Sequence, residues 1–380
     1  GNELKECPEN SPSSPAPKRS PSAAEYATSE YMAGYSDPST LDIGDCDGDG
    51  NIELVIGTDE RYIHILEWTG SGFIEEWRSP VLYAPGGWVT WILSSALDDL
   101  DNDGVLEIII ATANGYFNIY DGKTHELEWN TTVGWYPSTI AVDDMDNDGY
   151  KEMVIANRDG YMYAFAYDGV SYANEWFDSG KGKDLDSVAV GDIDSDGNKE
   201  ILVGDENATI FVFDATSRDY LWCTDVYGTY KSTHTILVED INSDGVEEII
   251  AGYSNCVRIF NGSSQALICT LGYTADSNTL VRPLVYDIDQ DESEEIIVYN
   301  YSWMCIFNGT TFLSIYDCTP EMNFRVMNVG DIDCDGEQEI VQLTRIYMHI
   351  LDARTGVEEL KWCFRWLSGT GLAVDDIDSD

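Results

Sequence analysis

The chain has 380 residues, of which 70 are Asp or Glu and 20 are Lys or Arg, so its formal net charge at pH 7 is −50. This charge excludes electrostatic binding to nucleic acid or to an anionic membrane surface, because both need clustered Lys and Arg. No apolar run approaches the roughly 18 residues of a membrane-spanning helix, so we predict no membrane insertion. Nine cysteines without a CxxC motif favour an oxidising exterior. We therefore predict an extracellular or cell-surface location.

The sequence divides into three segments. Residues 1–37 are rich in Ser, Pro and Ala and have no hydrophobic period, which is typical of an extended tail or linker. Residues 38–368 hold seven repeats of one pattern, which predicts a single repeat domain. Residues 369–380 begin an eighth repeat. That partial repeat would either help to close the fold or offer a strand to another subunit.

Each repeat contains an acidic loop of the form D-x-D-x-D-G-x-x-E, for example DIDSDGNKE from Asp192 to Glu200. Carboxylates at loop positions 1, 3, 5 and 9, with a backbone carbonyl at position 7, can build the oxygen shell that Ca²⁺ takes. Gly at position 6 permits the positive φ that folds the loop back. An EF-hand is excluded because its loop is longer and lies between helices, and Mg²⁺ is less suitable because it needs a rigid octahedron. The sequence therefore predicts up to seven structural Ca²⁺ ions.

The predicted ligand sets share one spacing, and position 7 contributes only its carbonyl. They are Asp45, Asp47, Asp49, Asn51 and Glu53; Asp99, Asp101, Asp103, Val105 and Glu107; Asp144, Asp146, Asp148, Tyr150 and Glu152; Asp192, Asp194, Asp196, Asn198 and Glu200; Asp240, Asn242, Asp244, Val246 and Glu248; Asp287, Asp289, Asp291, Ser293 and Glu295; and Asp331, Asp333, Asp335, Glu337 and Glu339. Asn242 is a neutral ligand, and Glu292 replaces the Gly of the Asp287 loop, so we predict weaker binding at these two loops. Because crowded carboxylates repel one another, chelation is expected to lower the melting temperature.

The segments around the loops are predicted to be strands. The loops start 44 to 54 residues apart, which is the period of a four-stranded unit. A run of small and β-branched residues precedes each loop, and an apolar run follows it. A third strand alternates aromatic residues, as in YMYAFAY from Tyr161 to Tyr167, and a fourth carries a Trp such as Trp129.

These units predict an all-β fold, a β-propeller of four-stranded blades with the calcium loop between strands 1 and 2 of each blade. Seven blades are favoured, and eight are the alternative. A linear solenoid is a weaker candidate because a closed ring removes exposed sheet edges.

The loop pattern followed by an apolar strand resembles the FG-GAP repeats of integrin α-subunit propellers and of related microbial surface proteins. The resemblance covers about residues 39–376 and implies a calcium-binding propeller. Glu at position 9 is a feature of the microbial relatives, whereas Asp is usual in integrins. The chain has no inserted domain or ligand loop of the integrin kind, so integrin-type ligand recognition is not implied.

Cysteines and sequons add further candidate sites. Cys256 and Cys269 lie 13 residues apart across a predicted hairpin, as do Cys305 and Cys318. We predict a cross-strand disulfide in each hairpin, with reduced thiols as the alternative. Sequons for N-glycosylation occur at Asn130, Asn207, Asn261, Asn300 and Asn308.

Together these features favour a non-catalytic extracellular scaffold, stabilised by calcium, for adhesion or for assembly into a cell-surface or filamentous structure. Its expected partners are copies of itself, other surface proteins or glycans. One alternative is a polysaccharide-active enzyme of the rhamnogalacturonan-lyase type, which a cluster of Lys or Arg with Tyr in the central funnel would favour. The other is a glycan-binding lectin that uses aromatic residues such as Trp88 and Trp91.

Overall fold

The computed structural model describes residues 37–70, 72–82, 91–178, 184–224, 232–272, 280–291, 293–318, 324–345, 347–367 and 371–376. Every regular element in these ranges is a β-strand, so the predicted all-β class is confirmed. Within the same ranges, no helix has the length and hydrophobicity needed to cross a membrane. The predicted tail falls outside the described residues except for its last member, Asp37.

Seven antiparallel sheets follow one another in chain order, and each forms a blade of four consecutive strands. Blades 1 to 3 hold β1 (Pro38–Gly44), β2 (Glu53–Thr58), β3 (Ile63–Trp68) and β4 (Phe73–Arg78); β5 (Ile92–Asp98), β6 (Glu107–Thr112), β7 (Tyr116–Asp121) and β8 (Leu127–Thr132); and β9 (Pro137–Asp143), β10 (Glu152–Asn157), β11 (Met162–Tyr167) and β12 (Tyr172–Asp178). Blades 4 and 5 hold β13 (Leu185–Gly191), β14 (Glu200–Asp205), β15 (Ile210–Asp214) and β16 (Tyr220–Cys223); and β17 (Thr233–Glu239), β18 (Glu248–Tyr253), β19 (Val257–Asn261) and β20 (Leu267–Leu271). Blades 6 and 7 hold β21 (Arg282–Tyr286), β22 (Glu295–Tyr299), β23 (Met304–Asn308) and β24 (Ser314–Cys318); and β25 (Val326–Gly330), β26 (Glu339–Leu343), β27 (Tyr347–Asp352) and β28 (Glu358–Leu367).

The blades form a ring, a seven-bladed β-propeller, as predicted. The first strand of each blade is innermost and packs against the first strand of a neighbouring blade. The second strand is buried along its whole length in every blade. Its sequence is mostly apolar after the first residue, because both of its faces pack against other blades. The hydrophobic core therefore lies between blades.

The ring closes where blade 7 meets blade 1. One buried cluster contains Leu41 of β1 and Val326 of β25. The Asn328 side chain donates a hydrogen bond of 3.0 Å from Nδ2 to the Leu41 carbonyl. Farther out, the rings of Phe73 and Trp362 meet edge to face with their centroids 6.4 Å apart. Each blade is one continuous stretch of chain, so packing between residues that are distant in sequence holds the ring closed.

A fifth strand extends blade 7. This strand, β29 (Gly371–Asp376), pairs antiparallel with β28 on the outer edge of the sheet. It belongs to the predicted partial eighth repeat. The structure thus places the start of that repeat beside blade 7, where it covers the backbone edge of the outermost strand.

The two ends of the blades carry different connections. At one end, the acidic loops join the first strand to the second strand. At the other end, a series of backbone hydrogen bonds links successive blades: Ala113 N donates to Trp91 O, Tyr136 N to Ala113 O, Arg158 N to Tyr136 O and Asp184 N to Arg158 O, at 2.8 to 3.1 Å. We call these two ends the loop face and the connection face.

Candidate metal centres

The acidic loops are held at both ends by paired strands. In blade 4, β13 ends at Gly191 and loop position 1, Asp192, follows at once. Position 9, Glu200, is the first residue of β14. Gly191 and Glu200 lie opposite each other in the antiparallel register. Every blade repeats this arrangement, so the strand pair fixes the positions of the first and last proposed ligands.

Carboxylates inside each loop accept hydrogen bonds from the loop backbone. In the Asp192 loop, Asp192 Oδ1 accepts from Asp196 N at 3.0 Å, and its Oδ2 accepts from Gly197 N at 2.9 Å. Asp196 Oδ1 accepts from Asn198 N at 2.8 Å. The bond from position 5 to position 1 occurs in all seven loops. These bonds turn the acidic side chains inward and keep them close together.

Two loop positions adopt left-handed backbone conformations. The glycines at position 6 have φ of 87 to 95°, as predicted, at Gly50, Gly104, Gly149, Gly197, Gly245 and Gly336. Position 4 has φ of 57 to 73° at Gly48, Asn102, Asn147, Ser195, Ser243, Gln290 and Cys334. Sequence reasoning missed this second turn. Its signal was the presence of Gly or Asn at position 4 in three repeats, since these residues tolerate a positive φ best.

Position 9 holds a buried carboxylate in every blade, with only 0 to 4 % of each residue exposed. In six loops its Oε2 accepts a hydrogen bond of 2.6 to 3.1 Å from the backbone N of position 2. Burial raises the pKa of Glu107, Glu200 and Glu339 to about 8, and that of Glu53, Glu248 and Glu295 to about 7. Such carboxylates need either a proton or a nearby cation.

The geometry of the carboxylates fits a hard cation. Within the described residues, at least five groups of three acidic residues offer oxygens that lie within 4.8 Å of one another. One of them joins Asp45, Asp47 and Glu53, which are loop positions 1, 3 and 9. In the Asp287 loop, Glu295 Oε1 is buried without a hydrogen-bond partner among the described residues. An all-oxygen set with an orphaned buried oxygen is the donor set that Ca²⁺ prefers.

The two loops that depart from the pattern differ in their interiors. In the Asp240 loop, Asn242 Nδ2 donates to Glu248 Oε2 at 2.9 Å, and Asn261 Nδ2 approaches Glu248 Oε1 at 3.4 Å. Two amides thus solvate the buried carboxylate in this blade. Glu292, the residue that replaces Gly in the Asp287 loop, lies outside the described residues.

The FG-GAP-like repeat model matches residues 45–110 and 144–203. Each matched span runs from the loop of one blade through the loop of the next and into the strand that follows it. These two spans are therefore similar to FG-GAP-like repeats. The loops that begin at Asp240, Asp287 and Asp331 lie outside the matched spans, yet they share the bond from position 5 to position 1. The loop geometry of the matched spans therefore recurs in the other blades.

Solved structures support the propeller fold. The chain is similar to BBS1N in its complex with ARL6DN, both in crystals soaked with mercury (TM-score 0.60) and in crystals soaked with lead (TM-score 0.59). In each case the identity is 13%, and the match covers 82% of this chain and 90% of that chain. At this identity the likeness shows the fold alone. No curated protein matches the chain significantly.

The strand register does not place the predicted cysteine pairs opposite each other. Cys269 lies opposite Ile259, three residues along the strand from Cys256. In the next blade, Cys305 lies opposite Asp317 and not opposite Cys318. The register does not support either pairing, because a separation of 13 residues does not fix which residues of a hairpin face each other. The two disulfides stay predictions.

The sequons occupy different environments. Asn130 and Asn207 are exposed, and Asn261 and Asn308 are half-buried at the ends of third strands. Asn300 is only 3 % exposed, and its Nδ2 has no hydrogen-bond partner in the described part of the chain. Glycosylation stays a prediction, for which Asn130 and Asn207 are the most accessible sites.

Proposed function

We propose that this chain is a non-catalytic, extracellular β-propeller scaffold whose loops bind up to seven structural Ca²⁺ ions. The scaffold serves adhesion, or assembles with copies of itself or with other surface molecules. The repeated loop carries the proposal, because all seven blades place inward-turned carboxylates and a buried Glu at the same end of the ring. Bound Ca²⁺ would neutralise these carboxylates, and its binding free energy would add to the free energy of unfolding.

Charge supports an exterior location for this scaffold. A chain with a net charge of −50 repels itself and other anions at low ionic strength. Extracellular calcium would offset part of that charge at the loop face, where the acids are most concentrated. Removal of the ions would leave buried carboxylates that repel one another inside every blade.

The outer strands support assembly. Large apolar side chains point to solvent there: Ile74 of β4 is 51% exposed, Leu127 of β8 is 46% exposed and Ile315 of β24 is 54% exposed. The outermost strand of a blade also presents an unpaired backbone edge, which accepts an added strand readily. In blade 7 that edge pairs with β29, so a blade of this propeller is able to accept a fifth strand.

A melting experiment tests the calcium proposal. We expect excess EGTA to lower the melting temperature of the intact chain, and added Ca²⁺ to restore it. Mg²⁺ should restore less, since it retains its waters and needs a rigid octahedron. An identical melting curve in EGTA and in millimolar Ca²⁺ would contradict the proposal.

The lectin alternative has one supporting observation. Trp91, 46% exposed, lines the central cavity on the connection face, whereas Trp88 lies outside the described residues.

Arg158 and Arg282 line the same cavity together with Tyr136 and Tyr299. This is the cluster of Arg with Tyr in the central funnel that would favour the polysaccharide-active enzyme. These groups supply binding contacts, and binding to a glycan array would favour the lectin over a pure scaffold.

A further inference from the structure

The central channel opens into a cavity on the connection face. Its volume is about 490 Å³, within the usual range for small-molecule sites. The beginnings of the innermost strands line it, for example Ser94 of β5, Ser138 of β9 and Thr235 of β17. Each of these strands ends at an acidic loop. The cavity therefore lies at the end of the ring away from the candidate calcium sites.

Cationic groups line this cavity although bases are scarce in the chain. Arg158 follows the second strand of blade 3, and Arg282 begins the first strand of blade 6. Arg158 Nε donates to Asp186 Oδ1 at 3.0 Å, and Asp186 Oδ2 also accepts a hydrogen bond from Ser232. Each carboxylate oxygen of Asp186 therefore already accepts a hydrogen bond.

Arg282 has no such partner. Its guanidinium makes no ion pair or hydrogen bond with any residue in the described ranges, although acids outnumber bases 70 to 20 in the whole chain. The other carboxylate of the cavity, Asp42, accepts a hydrogen bond from Ser95. An arginine without an anion, half-buried in a cavity, is a ready partner for the carboxylate of a ligand.

His234 lies beside the arginines as a neutral hydrogen-bonding group. Burial lowers its pKa to about 4, and the charges of Arg282 and Arg158 act in the same direction. Its Nδ1 lies 3.4 Å from Ser232 Oγ. The imidazole is therefore uncharged at pH 7, and it can hydrogen-bond a ligand hydroxyl or carboxylate with its other nitrogen.

Aromatic side chains line the cavity on blades 2 and 3, across the ring from Arg282 on blade 6. Trp91 is 46% exposed and Tyr136 is 38% exposed, and both line the cavity. Tyr136 also has φ of 51°, a left-handed conformation that is costly for an aromatic residue and is concentrated at functional sites. Exposed rings that frame a cavity provide flat apolar surfaces with polar edges.

We propose that this cavity binds a carboxylate-bearing sugar residue, such as a uronic acid at the end of a glycan. The apolar C–H face of the sugar ring would pack on Trp91 and Tyr136, the carboxylate would pair with Arg282, and His234 would bind a hydroxyl. One carboxylate can pair with the one guanidinium of Arg282. A long polyanion would bind poorly, because the rest of the chain repels negative charge. This site goes beyond the proposed calcium scaffold and does not depend on the loops at the other face.

Calorimetric titration of the intact, calcium-saturated chain tests this site. The probes are glucuronate and galacturonate, with glucose and the methyl ester of glucuronate as uncharged controls. We expect saturable binding of at least one uronate, and binding of its uncharged counterpart weaker by about tenfold or more, since a charge-assisted hydrogen bond is lost. No saturable uronate binding, or equal binding of glucose, would overturn the proposal.

Variants locate the site. Arg282→Ala should weaken uronate binding by about tenfold or more, and Arg282→Lys should recover part of it. Arg78→Ala, on the outer strand of blade 1 where its guanidinium lies 5.2 Å from the Tyr62 ring centroid, is the matched control and should bind as the unmodified chain does. Circular dichroism confirms that each variant is folded. Unchanged binding by Arg282→Ala would overturn the assignment.

Two further probes separate a sugar from other carboxylates. Acetate and a Glu-rich peptide offer the carboxylate without the sugar ring, so both should bind about tenfold or more weakly than the uronate. Trp91→Ala should weaken uronate binding and leave acetate binding unchanged. A peptide or acetate that binds as tightly as the uronate would overturn the sugar assignment. Repeating the titration in EGTA separates this site from the calcium proposal, because a folded chain should bind the uronate in either buffer.

Discussion

Asn102 Nδ2 donates a hydrogen bond of 2.7 Å to the carbonyl of Gly149. Asn102 is position 4 of one acidic loop, and Gly149 is position 6 of the next loop in the ring. The same relationship recurs between later loops: Asn147 with Gly197 at 3.5 Å, Ser195 with Gly245 at 3.0 Å, Gln290 with Gly336, and Cys334 with Gly50 at 3.8 Å. Neighbouring loops are therefore connected directly, and the last bond crosses from blade 7 to blade 1.

The loop of blade 1 lacks this connection, which gives a first prediction. Its position 4 is Gly48, with φ of 73°, and a Cβ there would lie 3.7 Å from Gly104 O. Asn tolerates this φ, so Gly48→Asn should restore the missing bond and stabilise the chain by about 0.5–1.5 kcal/mol. Urea unfolding in calcium measures the change. Gly70→Asn is the control, because Gly70 has φ of 83° and no neighbour within 4 Å. If both substitutions raise the free energy of unfolding equally, the hydrogen bond between loops does not contribute to stability.

At one junction between blades, two carboxylates take the place of an ion pair that another junction has. Lys199 precedes β14 and pairs with Asp143 at the end of β9. At the equivalent positions of blades 5 and 6, the residues are Glu239 at the end of β17 and Glu294 before β22. Burial raises the pKa of Glu239, and the nearby charge of Glu294 raises it further. Two carboxylates thus meet at a junction where another pair of blades has an ion pair.

Glu294→Lys should therefore stabilise the ring. It converts a repulsive pair into the ion pair seen between blades 3 and 4, and a partly exposed pair of this kind contributes up to about 1 kcal/mol. Chemical unfolding at low ionic strength measures the gain, which should shrink in high salt. Lys199→Glu is the matched reverse change and should destabilise by a similar amount. A loss of stability in Glu294→Lys would refute this view of the junction.

The buried Glu at position 9 should act in opposite directions with and without calcium. Glu339→Gln removes a buried charge, so it should leave the melting temperature in EGTA unchanged or higher. In calcium it removes a ligand, so the same change should lower the melting temperature. Glu337→Gln is the control within the same loop, since only the carbonyl of Glu337 is a proposed ligand and its side chain is 54% exposed. If Glu339→Gln lowers both melting temperatures equally, the carboxylate is not a calcium ligand.

The calcium-free chain should lose stability as pH rises. The raised pKa values of six position 9 carboxylates, about 7 to 8 against an ordinary 4.5, mean that the folded chain binds these protons more tightly than the unfolded chain does. Their favourable contribution is complete below about pH 4.5 and is lost as pH rises through 7 to 8. With calcium bound, ionisation is favoured, so stability should rise over the same range. Thermal unfolding from pH 5 to 8.5 in EGTA and in calcium compares the two slopes, and parallel slopes would contradict this prediction.

The fold could be predicted from the sequence because the acidic loop recurs at a regular spacing. Apolar strands on both sides of an acidic loop, such as β13 and β14, could be placed from hydrophobicity alone, and Gly197 marked the turn. Pairing across hairpins could not be derived in the same way. In β19 and β20 the register places Ile259, and not Cys256, opposite Cys269.

Contacts between blades could not be predicted from the sequence either. The bond from Asn102 to Gly149 joins residues 47 positions apart, and the bond from Cys334 to Gly50 spans the ring closure. The central cavity draws Trp91, Arg158, His234 and Arg282 from different blades. Such arrangements depend on how the blades pack around the axis, which no local pattern encodes.

Native mass spectrometry of the intact chain in a calcium titration would show whether the loops bind calcium. We expect successive binding of up to seven Ca²⁺ ions to the folded chain, with the Asp240 and Asp287 loops filling last. We also expect loss of all the ions, with a lower melting temperature, after EGTA treatment. A folded chain that carries no specifically bound Ca²⁺ at millimolar calcium would contradict the calcium proposal.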